Sequence, residues 1–178
     1  TMMFSNTPYN QPIDWYTPNV ELLKNMLEFT PFNSYFRMRL GTTTRNMHTE
    51  NMFLGSSYNR IEINDFDMSM VTGAKNMFHQ SDFNQPVTGW TLTAMAADTS
   101  QPSPRTLFFG TDTAMDACNG HATYNALAPQ LLASSQFTVQ AKLDGWDTTT
   151  GCPPSAPPSP LPPPFHPPST PPPPRHRS

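Results

Sequence analysis

The chain has 178 residues, 22 prolines and a formal charge of −3. This length predicts one domain, and the weak charge argues against a nucleic-acid or anionic-membrane partner. Residues 152–178 hold 14 of the 22 prolines, so the foldable part is about 150 residues. No apolar run approaches the roughly 20 residues that a membrane span needs. The chain begins within a repeat and without an initiator methionine or signal peptide, which predicts a fragment of a longer protein.

An internal repeat of about 25 residues is the dominant pattern. An apolar pair begins at Met3, Met26, Met52 and Met77, in steps of 23, 26 and 25 residues. An aromatic residue followed by Asn comes five positions after the second member of each pair. Such a period indicates units that bury their apolar side chains against their neighbours. The recurring positions are Met3, Phe4, Tyr9, Asn10, Trp15, Met26, Phe32, Asn33, Met52, Phe53, Tyr58, Asn59, Met77, Phe78, Phe83, Asn84 and Trp90.

Each copy is predicted to contain one short helix and one short strand. Asn19 or Ser69 is suited to cap a helix, and the apolar residues of 20–27 are spaced by three and four positions, as on one helical face. The aromatic-Asn-Gln-Pro segment predicts a turn, because proline cannot continue a helix. The expected strands are Ile13–Thr17, Ile61–Met68 and Val87–Leu92.

One strand and one helix per copy predict an α/β repeat solenoid of the leucine-rich-repeat type. In this arrangement the Met, Phe and Trp positions fill the core. The four Asn positions form a ladder, because stacked amides can satisfy one another and the turn backbone.

The segment Val71–Trp90 reads Val-Thr-x-x-Lys-Asn-Met-Phe-x-x-x-x-Phe-Asn-Gln-Pro-Val-x-x-Trp. It resembles the BspA-like surface-protein repeat, which also occurs in Mycoplasma and Listeria lipoproteins. The resemblance covers residues 2–95 and is weakest in the second and third copies, where Asn33, for example, is followed by Ser-Tyr instead of Gln-Pro. It implies a cell-surface or secreted protein with adhesion as its role, no enzymatic activity, and neither catalytic residues nor a cofactor.

Composition divides the chain into three parts. Residues 1–95 hold the four copies, the first of them truncated. Residues 96–151 are interpreted as a degenerate repeat or C-terminal cap, with helical segments at 114–118 and 123–134; the alternative is that this part is not a folded element. Residues 152–178 predict a disordered polyproline tail. The tail resembles hydroxyproline-rich wall segments, and the alternative is a plain linker.

One cluster of side chains suited to metal binding lies close in sequence: Asp112, Asp116, Cys118 and His121. A metal site needs three or four converging ligands, and solvated loop residues are the favoured alternative. Calcium at acidic turns is a further alternative, although no periodic acidic column supports it. Cys118 and Cys152 are either two unrelated thiols or one disulfide of a secreted protein.

These observations favour a non-enzymatic, extracellular or cell-surface repeat protein that binds an extracellular protein or glycan. Binding is expected at residues that vary between copies, such as His79, Asp82 and Thr88. The first alternative is a purely structural wall or matrix protein, and the second is a metal-dependent enzyme that uses the Asp112 cluster.

Overall fold

The computed structural model describes residues 2–40, 47–97, 115–131, 146–148 and 152. The strands are β1 (Ile13–Thr17), β2 (Phe36–Leu40), β3 (Met47–His48) and β4 (Val71–Gly73). The helices are α1 (Thr93–Ala97), α2 (Ala117–Leu127) and two 3-10 helices, Ile61–Asp65 and Ala128–Gln130. Strand β1 pairs in parallel with β2, and β3 pairs in parallel with β4, so the described strands form two separate two-stranded sheets.

Strand β1 has the bounds expected from the sequence, and it lies between Pro12 and Pro18. Its register pairs Ile13 with Phe36, so the pairing of β1 with β2 joins equivalent positions of the first two copies. Ile13 and Phe36 are buried, whereas the next residue of each strand is exposed. This alternation follows from the two-residue period of a strand.

The predicted helix at 20–27 is wrong, because this segment forms turns. Its alternate N–H groups donate to the next copy and not to the preceding turn: Leu23 N to His48 O at 2.8 Å and Asn25 N to Glu50 O at 3.0 Å. Asn25 also has a φ of 57°, and a left-handed residue interrupts a right-handed helix. Asn51 and Asn76 repeat this conformation one and two copies later, with φ of 55° each.

The strands predicted at 61–68 and 87–92 are also absent. In the third copy the buried Ile63 comes four positions after Asn59, whereas in the first copy Ile13 comes three positions after Asn10. The 3-10 helix Ile61–Asp65 accommodates the additional residue. In the fourth copy, two backbone N–H groups donate to side chains that follow the repeats: Val87 N to Thr123 Oγ1 and Leu92 N to Gln130 Oε1, each at 2.9 Å. These N–H groups are therefore not available to a neighbouring strand.

The predicted α/β repeat solenoid, with one strand and one helix in every copy, is therefore wrong. The described residues form two small parallel sheets joined by turns, with few helices. The copies nevertheless bond to each other through the backbone: Phe4 N donates to Met26 O, Leu27 N to Met52 O and Phe53 N to Met77 O, each at 2.9 Å. These bonds satisfy turn N–H groups that a helix would have satisfied internally.

The core runs through the copies as columns of equivalent residues. Ile13, Phe36, Ile63 and Val87 are all at most 1% exposed, and they occupy the first inward position after each Asn turn. Full burial of a side chain of this size contributes about 1.5–3 kcal/mol. These columns are the main source of cohesion between copies whose strands are short.

Helix α2 lies after the repeats and replaces the two helical segments expected in this region. Asp116 caps it by accepting a hydrogen bond from Asn119 N at 2.9 Å, as is typical of an N-cap carboxylate. The α-helix ends at Leu127, just before Pro129. A disulfide joins Cys118, in its first turn, to Cys152.

Candidate interaction surface

The recurring residues of the inner copies are buried side chains, so they are not available to a partner. In the second to fourth copies, the recurring Met, Phe and Tyr residues are at most 2% exposed, and so is Trp90. These residues are Met26, Phe32, Met52, Phe53, Tyr58, Met77, Phe78 and Phe83. In the first copy Phe4, Tyr9 and Trp15 are half-buried, and Met3 is 61% exposed.

Aromatic rings stack within and between the copies. Phe4 lies 4.0 Å from Tyr9, and Phe78 lies 4.1 Å from Phe83, measured between ring centroids. Tyr58 lies 5.7 Å from Phe32 of the copy before it and 6.3 Å from Phe83 of the copy after it. Offset stacking at these distances stabilises a pair by about 0.5–1.5 kcal/mol beyond area burial.

The hydroxyl of Tyr58 is a buried polar group without a hydrogen-bond partner among the described residues. Burial, with a smaller contribution from the nearby Glu62 carboxylate, raises the pKa of Tyr58 far above its usual value. The cause is the cost of placing a phenolate in an apolar environment.

The four Asn residues form a ladder on one side of the repeats. Asn33 N donates to Asn10 Oδ1 at 2.8 Å, Asn59 N to Asn33 Oδ1 at 3.0 Å, and Asn84 N to Asn59 Oδ1 at 2.9 Å. Asp116 N donates in turn to Asn84 Oδ1 at 2.8 Å. The side-chain oxygen of each Asn in the ladder therefore already accepts a hydrogen bond from a backbone N–H group of the protein.

A second polar column was missed in the sequence. The hydroxyls of Thr7, Thr30, Ser56 and Ser81 donate to the carbonyl three residues earlier, at 2.6, 2.7, 2.8 and 2.6 Å. Each lies three positions after the second member of the Met-Phe pair. The invariant choice of Ser or Thr there was the available signal, because a short hydroxyl side chain is suited to closing a turn.

The residues proposed as metal ligands have other partners. Cys118 is in the disulfide, and His121 bonds through Nδ1 to Trp146 O and through Nε2 to Asn125 Nδ2. Asp116 caps α2, and Asp112 lies outside the described residues. Across the described ranges, no group of three His, Cys, Asp or Glu side chains is arranged to hold a metal ion.

Residues that differ between copies lie on the surface or near it. Asp82 and Thr88 are exposed, and His79 is half-buried. His48 and Lys24 both approach Glu50 Oε1, at 3.1 and 3.2 Å. Because this group of charges is largely neutralised internally, it is a poor candidate for a charged ligand.

A different surface is built by the outward side chains of β1 and β2. Asp14, Tyr16, Arg37 and Arg39 are exposed, and Tyr16 retains 65% of its exposure. The register pairs Asp14 with Arg37 and Tyr16 with Arg39, and Arg39 Nη2 lies 3.3 Å from Asp14 Oδ1. We call these four residues the strand face. The sequence did not single them out, because β2 was not among the expected strands and only its register with β1 brings the four side chains together.

Residues 1–102 match the protein family described as "Mycoplasma protein of unknown function, DUF285". The match covers more than half of the chain, so the protein belongs to this family. Searches of curated proteins and of solved structures found no match. Of the helices in the described residues, none has the length and apolar character required to cross a membrane.

Proposed function

We propose that this protein is an exported, non-enzymatic repeat protein that binds an extracellular macromolecule through the strand face. The observation that carries the proposal is that the recurring residues have structural roles, whereas a separate set of residues is exposed to solvent. The recurring side chains are used for the core and the Asn ladder, whereas an aromatic ring and two guanidinium groups face solvent together on β1 and β2. Tyr and Arg are enriched at protein interaction sites.

The disulfide supports the exported location. Cys118 and Cys152 are 34 positions apart and are joined. Disulfides persist in oxidising compartments and are rare where glutathione keeps thiols reduced. Membership of the Mycoplasma family and the BspA-like repeat resemblance support the same proposal, and adhesion is the finer role that we propose from the resemblance.

The location is tested by trapping thiols in the native cells that produce the protein. Free thiols are blocked with a small maleimide before lysis, and the thiols released by reduction are then labelled with a maleimide of much larger mass, so that the mass shift on a gel counts the oxidised cysteines. We expect both cysteines to be oxidised, and a Cys118→Ser, Cys152→Ser variant provides the zero point. If both cysteines were already free before reduction, the result would argue against export to an oxidising compartment.

The binding function is tested by applying the purified oxidised protein to arrays of extracellular proteins and glycans. We expect saturable binding that competes with unlabelled protein and weakens in a variant carrying Tyr16→Ser and Arg37→Gln. A Lys75→Gln variant is the matched control, because Lys75 is exposed and outside the strand face. Silence across both arrays would favour the purely structural role instead.

A further inference from the structure

We propose that the strand face binds an anionic polysaccharide, with one sugar ring against Tyr16 and carboxylates at Arg37 and Arg39. This inference rests on the proposed function and gives it a ligand class. Its first support is geometric: all four side chains leave the same side of a two-stranded parallel sheet.

The dimensions of the strand face follow from strand geometry. Neighbouring strands lie about 4.8 Å apart, and residues two apart on one strand lie about 6.6 Å apart. Tyr16 therefore lies directly beside Arg39. Arg37 lies two residues earlier in β2, beside Asp14. An exposed ring with one guanidinium group beside it and a second diagonal to it gives a surface wide enough for a sugar ring.

The balance of charge favours an anion. The strand face carries two arginines and one aspartate, and within the described residues Arg37 forms no ion pair. The Asp14–Arg39 pair is open to water, since the two side chains are 40% and 54% exposed. An exposed pair of this kind has little net stability, so an incoming carboxylate can share Arg39 without a large cost.

The charges around the strand face are of both signs, because the 3-10 helix next to β2 carries Glu62 and Asp65 and directly follows Arg60. The arginines of the described residues are Arg37, Arg39 and Arg60, and all are exposed and lie in the second and third copies. Arg60 Nε donates to Asn33 O at 2.9 Å, which ties this side chain to the turn that precedes β2. Lys24, by contrast, is engaged with Glu50. A chain with repeated carboxylates can contact Arg37 and Arg39 at once, because they lie two residues apart on the same side of β2.

The chemistry of the strand face favours a sugar over a peptide. Peptide partners are usually held by apolar anchors in pockets or by main-chain bonds to a strand edge. Here the exposed groups are side chains on the flat of the sheet: one aromatic ring and planar guanidinium forks. The apolar side of a sugar ring packs against an aromatic face, and guanidinium groups bind carboxylates with two parallel hydrogen bonds.

The test is titration calorimetry of the full oxidised chain with polygalacturonate oligomers, using neutral dextran and poly-glutamate as the comparison ligands. We expect polygalacturonate to bind and dextran not to bind. Arg37→Gln and Arg39→Gln should each weaken binding by about threefold to tenfold, and each should lower its dependence on salt. Tyr16→Ser should weaken binding without changing the salt dependence.

Lys75→Gln is the control for non-specific attraction, and thermal unfolding of every variant checks that the fold is intact. An equal loss from Lys75→Gln would overturn the strand face as the site. Tighter binding of poly-glutamate would identify an acidic peptide in place of a glycan. Binding of an array ligand without polygalacturonate binding overturns this inference alone, whereas silence towards every ligand overturns the proposed function as well.

Discussion

Replacing Tyr58 by Phe is predicted to stabilise the protein. The Tyr58 ring stacks on Phe53 at a centroid distance of 4.4 Å, and equivalent positions of the neighbouring copies carry Phe32 and Phe83. The substitution keeps the ring and removes a buried hydroxyl that has no partner among the described residues. It therefore separates the hydroxyl from the stacking interaction that holds the ring.

The expected gain is on the order of 1 kcal/mol. A buried hydroxyl without a hydrogen bond costs about 1–3 kcal/mol in mutational data, and part of this cost is recovered by dispersion in the wild type. For a domain of this size, 1 kcal/mol corresponds to a rise in Tm of about 2–4 °C.

The pH dependence gives a second, independent test. The pKa of Tyr58 is raised in the folded state because of burial, whereas an unfolded Tyr titrates near pH 10. The neutral hydroxyl therefore favours folding fully only below about pH 10, and this contribution is lost as the pH rises towards the folded pKa. At about pH 11 the wild type should lose on the order of 1 kcal/mol relative to Tyr58→Phe, compared with their difference at pH 8.

The assay is urea unfolding of both proteins at pH 8 and pH 11, followed by far-ultraviolet circular dichroism. Tyr9→Phe is the control, because Tyr9 is the half-buried residue of the same column, and its unfolding free energy should change by less than about 0.5 kcal/mol at pH 8. A loss of stability in Tyr58→Phe at pH 8 would show that the hydroxyl has a partner and would refute the reasoning.

Three further predictions concern the contacts between copies. Asn59→Ala should destabilise the protein by about 1–3 kcal/mol, measured by urea unfolding, because it leaves Asn84 N–H without an acceptor; Asn59→Asp should cost less. Gly89→Ala should destabilise by about 1–3 kcal/mol in the same assay, because its Cβ would lie 2.8 Å from Asn64 O; unchanged stability would contradict this packing. Reducing the disulfide should lower the stability of residues 115–131 by up to about 4 kcal/mol, measured as faster amide exchange, while exchange in β1 should stay the same.

The repeat period and strand β1 were readable from the sequence because they depend on local chemistry. Ile13 and Tyr16 lie in a short segment with proline at each end, and its alternation is visible without knowledge of any neighbour. The helix at 20–27 was predicted from spacing that is real, since Leu23 and Leu27 are both buried. The spacing alone does not reveal that the N–H groups of these residues bond to the next copy.

The strand face was not predictable for a related reason. Tyr16 and Arg39 are 23 positions apart, and only the register of β1 against β2 makes them neighbours. Repeat analysis also directs attention to residues that recur, whereas these side chains occur in single copies. The hydrogen bond from Asn119 on α2 to Asn84 was also not predictable, because Asn119 is 35 positions away and outside the repeat.

The disulfide sets the route by which a pulling force enters the molecule. Cys152 directly precedes the proline-rich residues 153–178. Tension on these residues passes through the sulfur–sulfur bond to Cys118 in the first turn of α2, which is a shorter covalent path than the backbone between the two cysteines. The load then falls on the hydrogen bonds that join α2 and the following turn to the fourth copy, including Asn119 to Asn84, Val87 to Thr123 and Leu92 to Gln130. Oxidation thereby replaces a covalent path of 34 residues between the tail and α2 with a single sulfur–sulfur bond.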